Sequence, residues 1–434
     1  MTDVTTRALD PGTAPAGLPR LIPFPPATDL AAHLGRFGPM PRLAPQELVA
    51  RVTAAGLRGR GGGSFPTGVK LAAVVRSSGR RSLLGRRVSV VVANASEGEP
   101  ASVKDATLLG HAPHLVLDGV VAAAAAVGAD AAFVCVDRDR PGVTAALEGA
   151  LRERRGADGI AVHIAATPSH YVSGEESALV HWLNGGDARP TTVPPRPFER
   201  GVEGRPTLVD NIETLAHLAL IARFGADWYR SVGTPDDPGS FLATVTDGVR
   251  RPGVYEVAYG RSLGGLLTHA GVRADGPVLL GGYFGSWLAP ADVARLRLTR
   301  ADLASVGASI GCGVIAVLPD DVCPLREIVR VTRWLASESA GQCGPCVHGL
   351  DAVSTQMEAL FAGDRDRRAE GEVTRLTRIV AGRGACKMPD GALKFVTSGL
   401  AVHRDHVEEH RYGPCRQLGR APVLPIPRSA GAWR

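Results

Sequence analysis

At 434 residues the chain is too long for one ordinary core, so two or three domains are expected. Its hydrophobic share of 44% and charged share of 21% are those of a soluble globular protein, and seven cysteines are too sparse for a secreted disulfide scaffold. The formal charge of +6 comes from arginines scattered along the chain, a balance that could favour an acidic partner but is read first as that of an Arg- and Ala-rich composition. No Arg/Lys cluster with interleaved aromatics supports nucleic-acid binding.

Met1 to about Arg42 is rich in Pro, Ala and Thr, shows no signal-peptide pattern, and predicts an extended arm over residues 1–43. Folding is expected to begin near Ala44, where Pro45-Gln-Glu-Leu-Val-Ala-Arg-Val52 has helical spacing and Gly56 supplies a stop. Over residues 44–240 strands alternate with helices. Val88 to Ala93 reads as a strand buried on both faces, Leu115 to Val127 as a helix, and Ala131 to Val136 and Ile160 to Ala165 as further strands. Asp118, Asp130 and glycines interrupt the apolar stretch Leu115 to Val136, which therefore predicts a helix leading into a buried strand rather than a membrane span. This rhythm implies an α/β domain with a sheet covered by helices on both sides.

Residues 241–324 have a different texture. Pro252-Gly-Val-Tyr-Glu-Val257, a helical Ser262 to Ala270 and Val278-Leu-Leu-Gly-Gly282 suggest a small β-grasp-like module. Residues 325–412 predict a compact four-helix bundle, with helices at Leu325 to Ser337, Val347 to Ala362, Val373 to Ala381 and Leu393 to His410 and cysteines near their ends. Residues 413–434 are left as a C-terminal tail.

The most unusual stretch is Gly56-Leu-Arg-Gly-Arg-Gly-Gly-Gly-Ser-Phe-Pro-Thr-Gly-Val-Lys70. Successive glycines let backbone N–H groups approach a phosphate, and Arg60 and Lys70 add positive charge. The loop is not a Walker A motif and does not fit Gly-x-Gly-x-x-Gly, so on its own it reads equally as a surface loop. It resembles, however, the FMN-binding loop of the NADH-binding flavoprotein subunit of respiratory complex I and its relatives, Gly-Arg-Gly-Gly-x-Gly-Phe-Pro-Thr-Gly-x-Lys-Trp, departing at Ser64 and Leu71. Further stretches resemble the same family in the same order. They are Asn94-Ala-Ser-Glu-Gly-Glu-Pro100 with Lys104-Asp105 beyond it, Tyr171-Val-Ser-Gly-Glu-Glu-Ser-Ala-Leu179, and Gly204-Arg-Pro-Thr-Leu-Val-Asp-Asn-Ile-Glu-Thr214. The resemblance runs from about Ala44 to His410, and several motifs in register are far more specific than any one.

The resemblance implies a Rossmann-like FMN-binding domain, a β-grasp-like module and an iron–sulfur bundle. It implies that Gly59, Arg60, Gly61, Gly62 and Lys70 cradle the FMN phosphate, with Phe65 a stacking aromatic. Asn94, Asp210 and Asn211 would bond ribityl or ring atoms. Glu97, Glu99, Glu175 and Glu176, beside Tyr171 and Gly174, would surround the isoalloxazine and nicotinamide, with Glu99, Glu175 and Glu176 as the catalytic carboxylates. Glu175-Glu176 also reads as an acidic helix start. Four departures touch the family's NADH clamp: Ser96 replaces an Asp, Val193 and Arg196 replace a Lys and a Phe, and Ala73 stands where an aromatic is expected. Phe65 is left as the stacker, and FMN is better supported than NADH.

Ser337-Glu-Ser-Ala-Gly-Gln-Cys-Gly-Pro-Cys-Val-His348 resembles the family's Glu-Ser-Cys-Gly-x-Cys-x-Pro-Cys, and Cys386 matches its distant fourth cysteine. Ala340 occupies the first ligand position, leaving Cys343, Cys346 and Cys386 for a [4Fe–4S] cluster completed by water, Glu338, Ser339 or His348, or for a [3Fe–4S] cluster. The bland alternative is packing cysteines without metal. Cys135 reads as core, and Cys312, Cys323 and Cys415 have no metal-like spacing on their own. Taken together, the resemblance implies an electron-transfer flavoprotein subunit, an NADH-dehydrogenase-like oxidoreductase, with other redox subunits, a ferredoxin-like carrier or a membrane reductase as partners. It would be cytoplasmic, reaching the inner face of the membrane through a partner. The competing reading is a scaffold or small-ligand binder that keeps the fold with a decayed redox site.

Overall fold

The computed structural model describes residues 18–79, 89–272, 276–413, 415–427 and 431–434. The first 17 residues of the expected arm, and Val88 of the expected first strand, lie outside them.

Helix α1 (Leu30–Phe37) starts where the Asp29 carboxylate accepts from Ala32 N. Helix α2 (Pro45–Ala55) has Pro at its first position and left-handed Gly56 at its end, and α3 (Thr67–Gly79) follows the glycine-rich loop. The arm is not extended from residue 18 onward. Leu21 and Ile22 are buried, Arg20 N and Leu21 N both donate to the Glu256 carboxylate, and His33 meets Asp118 at 2.7 Å. Composition does not foretell this because only a few apolar side chains, Leu21, Ile22, Ala27 and Phe37, anchor the segment, while Phe24 and Leu34 stay exposed.

Strands β1 (Ser89–Ala95), β2 (Ala129–Asp137), β3 (Ala161–Thr167) and β4 (Thr207–Asn211) form a parallel sheet in the order β3-β2-β1-β4. They alternate with α4 (Lys104–His111), α5 (Pro113–Val127), α6 (Pro141–Glu153) and α7 (Glu176–Leu183), and α8 (Ile212–Arg230) follows β4. Val91, Ala93 and Ala95 of β1 pack into the core shared with α5 and α8, whereas Val90 and Val92 pack with Cys135, Leu179 and Val209 on the other face. Burial on both faces is why β1 reads as an unbroken apolar run. Strand order reverses between β1 and β4, with Asn94 in register with Asn211, and such a switch point opens a crevice above the carboxyl ends of the strands.

The second sheet has the order β6-β5-β9-β7-β8 and contains β5 (Ser240–Asp247), β6 (Gly253–Ala258), β7 (Val278–Leu280), β8 (Ser286–Leu288) and β9 (Val314–Val317). An antiparallel β5/β6 hairpin, a parallel β5/β9 pair and helix α9 (Leu263–Ala270), capped by Ser262, give it the β-grasp-like form expected, with α10 (Pro290–Arg295) and α11 (Arg300–Ala304) along its rim. The helical region comprises α12 (Pro324–Ser337), a wide helical turn Pro345–Leu350 leading into α13 (Asp351–Gly363), then α14 (Arg368–Val380), α15 (Met388–Val402) and α16 (Arg404–His410). The stretch expected as one helix over Leu393 to His410 is therefore two, broken at His403, whose φ/ψ of −104°/30° leaves the helical region. The tail is built in: Leu424 is buried, and Pro425 O accepts from Tyr283 Oη at 2.7 Å. Among the described residues no single helix is long and apolar enough to cross a membrane, and the bent pair α4–α5 is core.

Candidate functional site

A cavity of about 560 Å³ occupies the crevice at the β1/β4 switch point, a size suited to a cofactor. The glycine-rich loop forms its first wall. Gly59 N donates to Phe65 O and Thr67 N to Leu57 O, so the loop closes as a narrow excursion that presents Gly61, Gly62, Gly63 and Ser64 to the cavity. Phe65 lies at the mouth, half exposed. Lys70 projects from α3 toward Glu176 at 3.2 Å and Asp210 at 4.0 Å. Burial opposes its charge, but those two carboxylates raise the ammonium above its ordinary value.

The segment after β1 and the segment 171–175 form the floor. Their backbones touch: a Cβ on Gly98 would lie 2.6 Å from Tyr171 O, and one on Gly174 would lie 2.6 Å from Ser96 O. Only glycine allows this approach. Asn94 then donates to Gly174 O at 2.7 Å and accepts from Ser96 N at 3.0 Å, locking the two segments together. Glu97 is held by Ser102 Oγ, Asp105 N and Arg140, the last at 2.9 Å, so it orders the floor. Glu99 is buried and accepts from Tyr171 Oη at 2.9 Å and Tyr283 N at 2.7 Å. Burial pushes its carboxyl up to about 7 against those hydrogen bonds.

Asn211 caps α8 by accepting from Glu213 N and donates to Asp105 at 2.8 Å. Lys104 bridges Asp105 at 2.7 Å and Glu213 at 2.9 Å and reaches Asn211 at 3.2 Å. This buried network holds the carboxyl end of β4 rigid. Beside it, Asp210 lines the cavity with one carboxylate oxygen, Oδ2, buried and without a partner, and burial pushes its carboxyl up to about 6. A buried acceptor left unmatched costs about 1–3 kcal/mol, so this atom is poised for a hydroxyl or N–H of a bound group.

Some expectations change. Arg60 does not face the cavity: its guanidinium is buried against Tyr229 Oη at 2.8 Å and Ser240 O at 3.0 Å, and its N–H donates to Thr214. Its side chain therefore pins the loop and does not line the cavity, whereas Lys70 does. Glu175 is the N-cap of α7, accepting from Ser177 N at 2.9 Å and Ala178 N at 3.1 Å, so the helix-start reading describes its carboxylate even though the residue lines the cavity. Phe65 is not alone. Phe284, in the Gly281–Gly285 turn between β7 and β8, lines the same cavity 4.5 Å from the Tyr171 ring. The signal in the sequence is the run Gly281-Gly-Tyr-Phe-Gly285, which lies in the second domain, far along the chain from the glycine-rich loop.

Cys343, Cys346 and Cys386 come together at the bundle end nearest the cavity, packed with Ala340 and with Ser339 beside Cys346. Cys386 lines the cavity itself, with Lys387 and Met388. Glu338 is not free to join them: it is buried and accepts from Tyr171 N at 2.8 Å while facing His170 at 3.2 Å. His348 is solvent-exposed. Three thiols with no fourth, beside a hydroxyl, fit an iron–sulfur cluster with one non-thiolate corner. The unpaired Asp210 oxygen, the open glycine wall and Lys70 fit a phosphorylated flavin.

Fold and cleft together define a flavin- and iron–sulfur-type oxidoreductase subunit. Residues 52–220 match the Nuo51 FMN-binding domain, and residues 326–410 match the NADH-ubiquinone oxidoreductase-F iron-sulfur binding region. The second NADH-quinone oxidoreductase F subunit of Rhizobium meliloti is 31% identical over 386 residues, covering 85% of this chain and 90% of the relative. The corresponding F subunit of Streptomyces coelicolor is 31% identical over 385 residues, covering 86% and 84%. Among solved structures, the NAD+-reducing [NiFe]-hydrogenase in its air-oxidized state superposes with a TM-score of 0.77 at 32% identity, covering 88% of this chain and 64% of that one. Its H2-reduced state gives 0.75 and 63% of that chain, so this chain spans somewhat under two thirds of the hydrogenase chains. The chain belongs to the family of NADH-quinone oxidoreductase F subunits. It is an NADH-dehydrogenase-like oxidoreductase subunit, with the FMN and iron–sulfur domains that serve electron transfer.

Proposed function

We propose that this chain carries electrons between FMN in the switch-point cavity and a cluster on Cys343, Cys346 and Cys386, with NADH as the donor. One observation carries the reading: Cys386 lines the flavin cavity, so the two redox positions share a wall. When bound, FMN supplies the ability to accept an electron pair and release it singly. The chain's own residues do the rest. Lys70 would balance the phosphate, and Asp210 and Asn94 would bond ribityl or ring atoms. Phe65 and Phe284 both offer apolar surface to the cavity. Glu99, beside Tyr171, holds a proton near neutral pH at the cavity floor.

The clamp departures bear on the donor. Val193 and Arg196 lie in an exposed segment, and Ser96 bonds Thr167 at 2.7 Å rather than offering charge, so nicotinamide dinucleotide binding is expected to be weaker than flavin binding. Electrons leaving the cluster would pass to another redox subunit or ferredoxin-like carrier, in the cytoplasm and at the membrane face through a partner.

Anaerobic purification, flavin extraction and an iron assay followed by NADH addition test the proposal. Flavin bands with iron, bleached by NADH, support it in full. Bands that respond to dithionite and not to NADH overturn the donor. A colourless protein after attempted FMN and cluster reconstitution overturns the redox reading and leaves a scaffold.

A further inference from the structure

Outside the lining of the flavin cavity, four residues converge at the helical region: Cys323, His406, His410 and Cys415. Their ligand atoms all lie within 4.8 Å of one another, and among the described residues this is the one His/Cys/Asp/Glu set that does so. The cluster cysteines Cys343, Cys346 and Cys386 do not close in this way, as suits thiolates spread around a polynuclear cluster rather than around one ion. Cys323 Sγ stands 3.5 Å from His406 Nε2 and 3.4 Å from His410 Nε2, with Cys415 in hydrogen-bonding reach.

We infer that these four side chains form a structural zinc site of the Cys2His2 type. Zn–S near roughly 2.3 Å and Zn–N near roughly 2.0–2.1 Å at tetrahedral angles put sulfur and nitrogen about 3.5 Å apart, which is the spacing found. A thiol hydrogen bond does not explain it equally well, because Cys323 has one proton and faces two imidazole nitrogens. The outer shell is also that of a metal site. His410 turns its Nδ1 to Phe361 O at 3.3 Å, and His406 turns its Nδ1 toward the Glu409 carboxylate at 3.6 Å. Each arrangement puts the ring proton on Nδ1 and leaves the Nε2 lone pair directed at the cysteines.

The local sequence builds the set without strain. His406 and His410 are four apart on α16 and share one face. Cys323 caps α12, where Arg326 N donates to its sulfur at 3.3 Å, so the sulfur is held at the start of the helix. Cys415, Cys323 and His410 are buried and His406 nearly so, so the site has no open coordination position. Two thiolates and a divalent ion are together neutral, which suits that burial. Soft sulfur with imidazole in a tetrahedral array selects zinc among common divalent ions.

The ion would tie α12 and α16 to the root of the C-terminal segment. Beyond Cys415 that segment follows α12, where Leu424 N donates to Glu327 at 3.0 Å, then reaches the first domain, where Gly431 O accepts from His170 at 2.8 Å.

The test is elemental analysis of the full chain, purified anaerobically with its flavin and iron, together with zinc K-edge absorption spectroscopy. About one zinc per chain is expected, with two sulfur and two nitrogen neighbours. His406→Asn, at the most exposed ligand, and Cys415→Ser should each lose most of the zinc while keeping flavin, whereas Cys346→Ser should lose iron and keep zinc. Folded, flavin-bound protein that contains no zinc and takes none from solution when titrated against a chromophoric chelator overturns the inference. So does a Cys323–Cys415 disulfide found by mass spectrometry, or zinc content unchanged in both ligand variants.

Discussion

Glu99 is a carboxyl that the fold keeps near the point of ionisation. Its ordinary value is 4.5 and burial lifts it to about 7, so over that interval the folded chain holds a proton that the unfolded chain has released. The stability this contributes is complete below 4.5 and is lost as pH rises through 7. Glu99→Gln removes the titration while keeping an acceptor for Tyr171 Oη and Tyr283 N. Relative to the variant, the wild-type apoprotein should lose on the order of 2 kcal/mol between pH 5 and 8, read from denaturant melts. Parallel pH profiles would show Glu99 ionised throughout. Ala340 poses the complementary case, a missing group rather than a shifted one. It borders the same core as Cys343 and Cys386 and has no donor atom, so Ala340→Cys should raise iron per chain toward four and slow cluster loss in air. Unchanged iron content would mean that the fourth corner is already filled by another residue.

At the scale of elements, the cavity depends on two loops whose backbones touch. Gly174→Ala would press a methyl group to 2.6 Å from Ser96 O, an atom of fixed backbone. The expected cost is about 1–3 kcal/mol of stability together with a loss of FMN affinity of tenfold or more, measured by thermal unfolding and by quenching of flavin fluorescence. Gly149→Ala on α6, where a Cβ would meet only Arg152 Nη2 at an ordinary 3.8 Å, should be neutral or stabilising by about 0.5–1 kcal/mol. Such loops are legible in sequence when function and packing demand the same residues, as Asn94, Gly174 and Asn211 do. The strands were legible too, because β1 buries both faces and its run of valines announces it. Arg60 was misread because charge in a glycine-rich loop says nothing about direction, and Tyr229 and Ser240 turn it inward. The Cys323 set was illegible for a different reason. Its cysteines stand at opposite ends of the helical region, and only the His406–His410 spacing is local.

Over the whole molecule, the C-terminal segment is the feature that composition least foretold. It leaves the bundle beside Cys415, lies along α12 and ends against the first domain, where Trp433 stacks on His170 at 3.6 Å with the rings 2° from parallel. The Arg189 guanidinium covers Trp433 at 4.9 Å, and Ala188 N donates to Trp433 O at 3.0 Å. His170 in turn faces Glu338, which fixes Tyr171 N and with it the loop that forms the cavity floor. The segment therefore joins three layers through one chain of contacts: strap, bundle and flavin cleft. Removing the indole should matter locally rather than globally, since Trp433 is only partly buried and the cores beneath it have their own contacts. Trp433→Ala is expected to speed amide exchange over residues 170–175 about tenfold, equivalent to roughly 1.4 kcal/mol of local opening, with β1 and β2 unchanged. FMN affinity should fall a few-fold in the same variant, because the floor loop is the element released. If residues 170–175 exchange at the wild-type rate, the strap merely covers this surface and the loop is held by Glu338 alone.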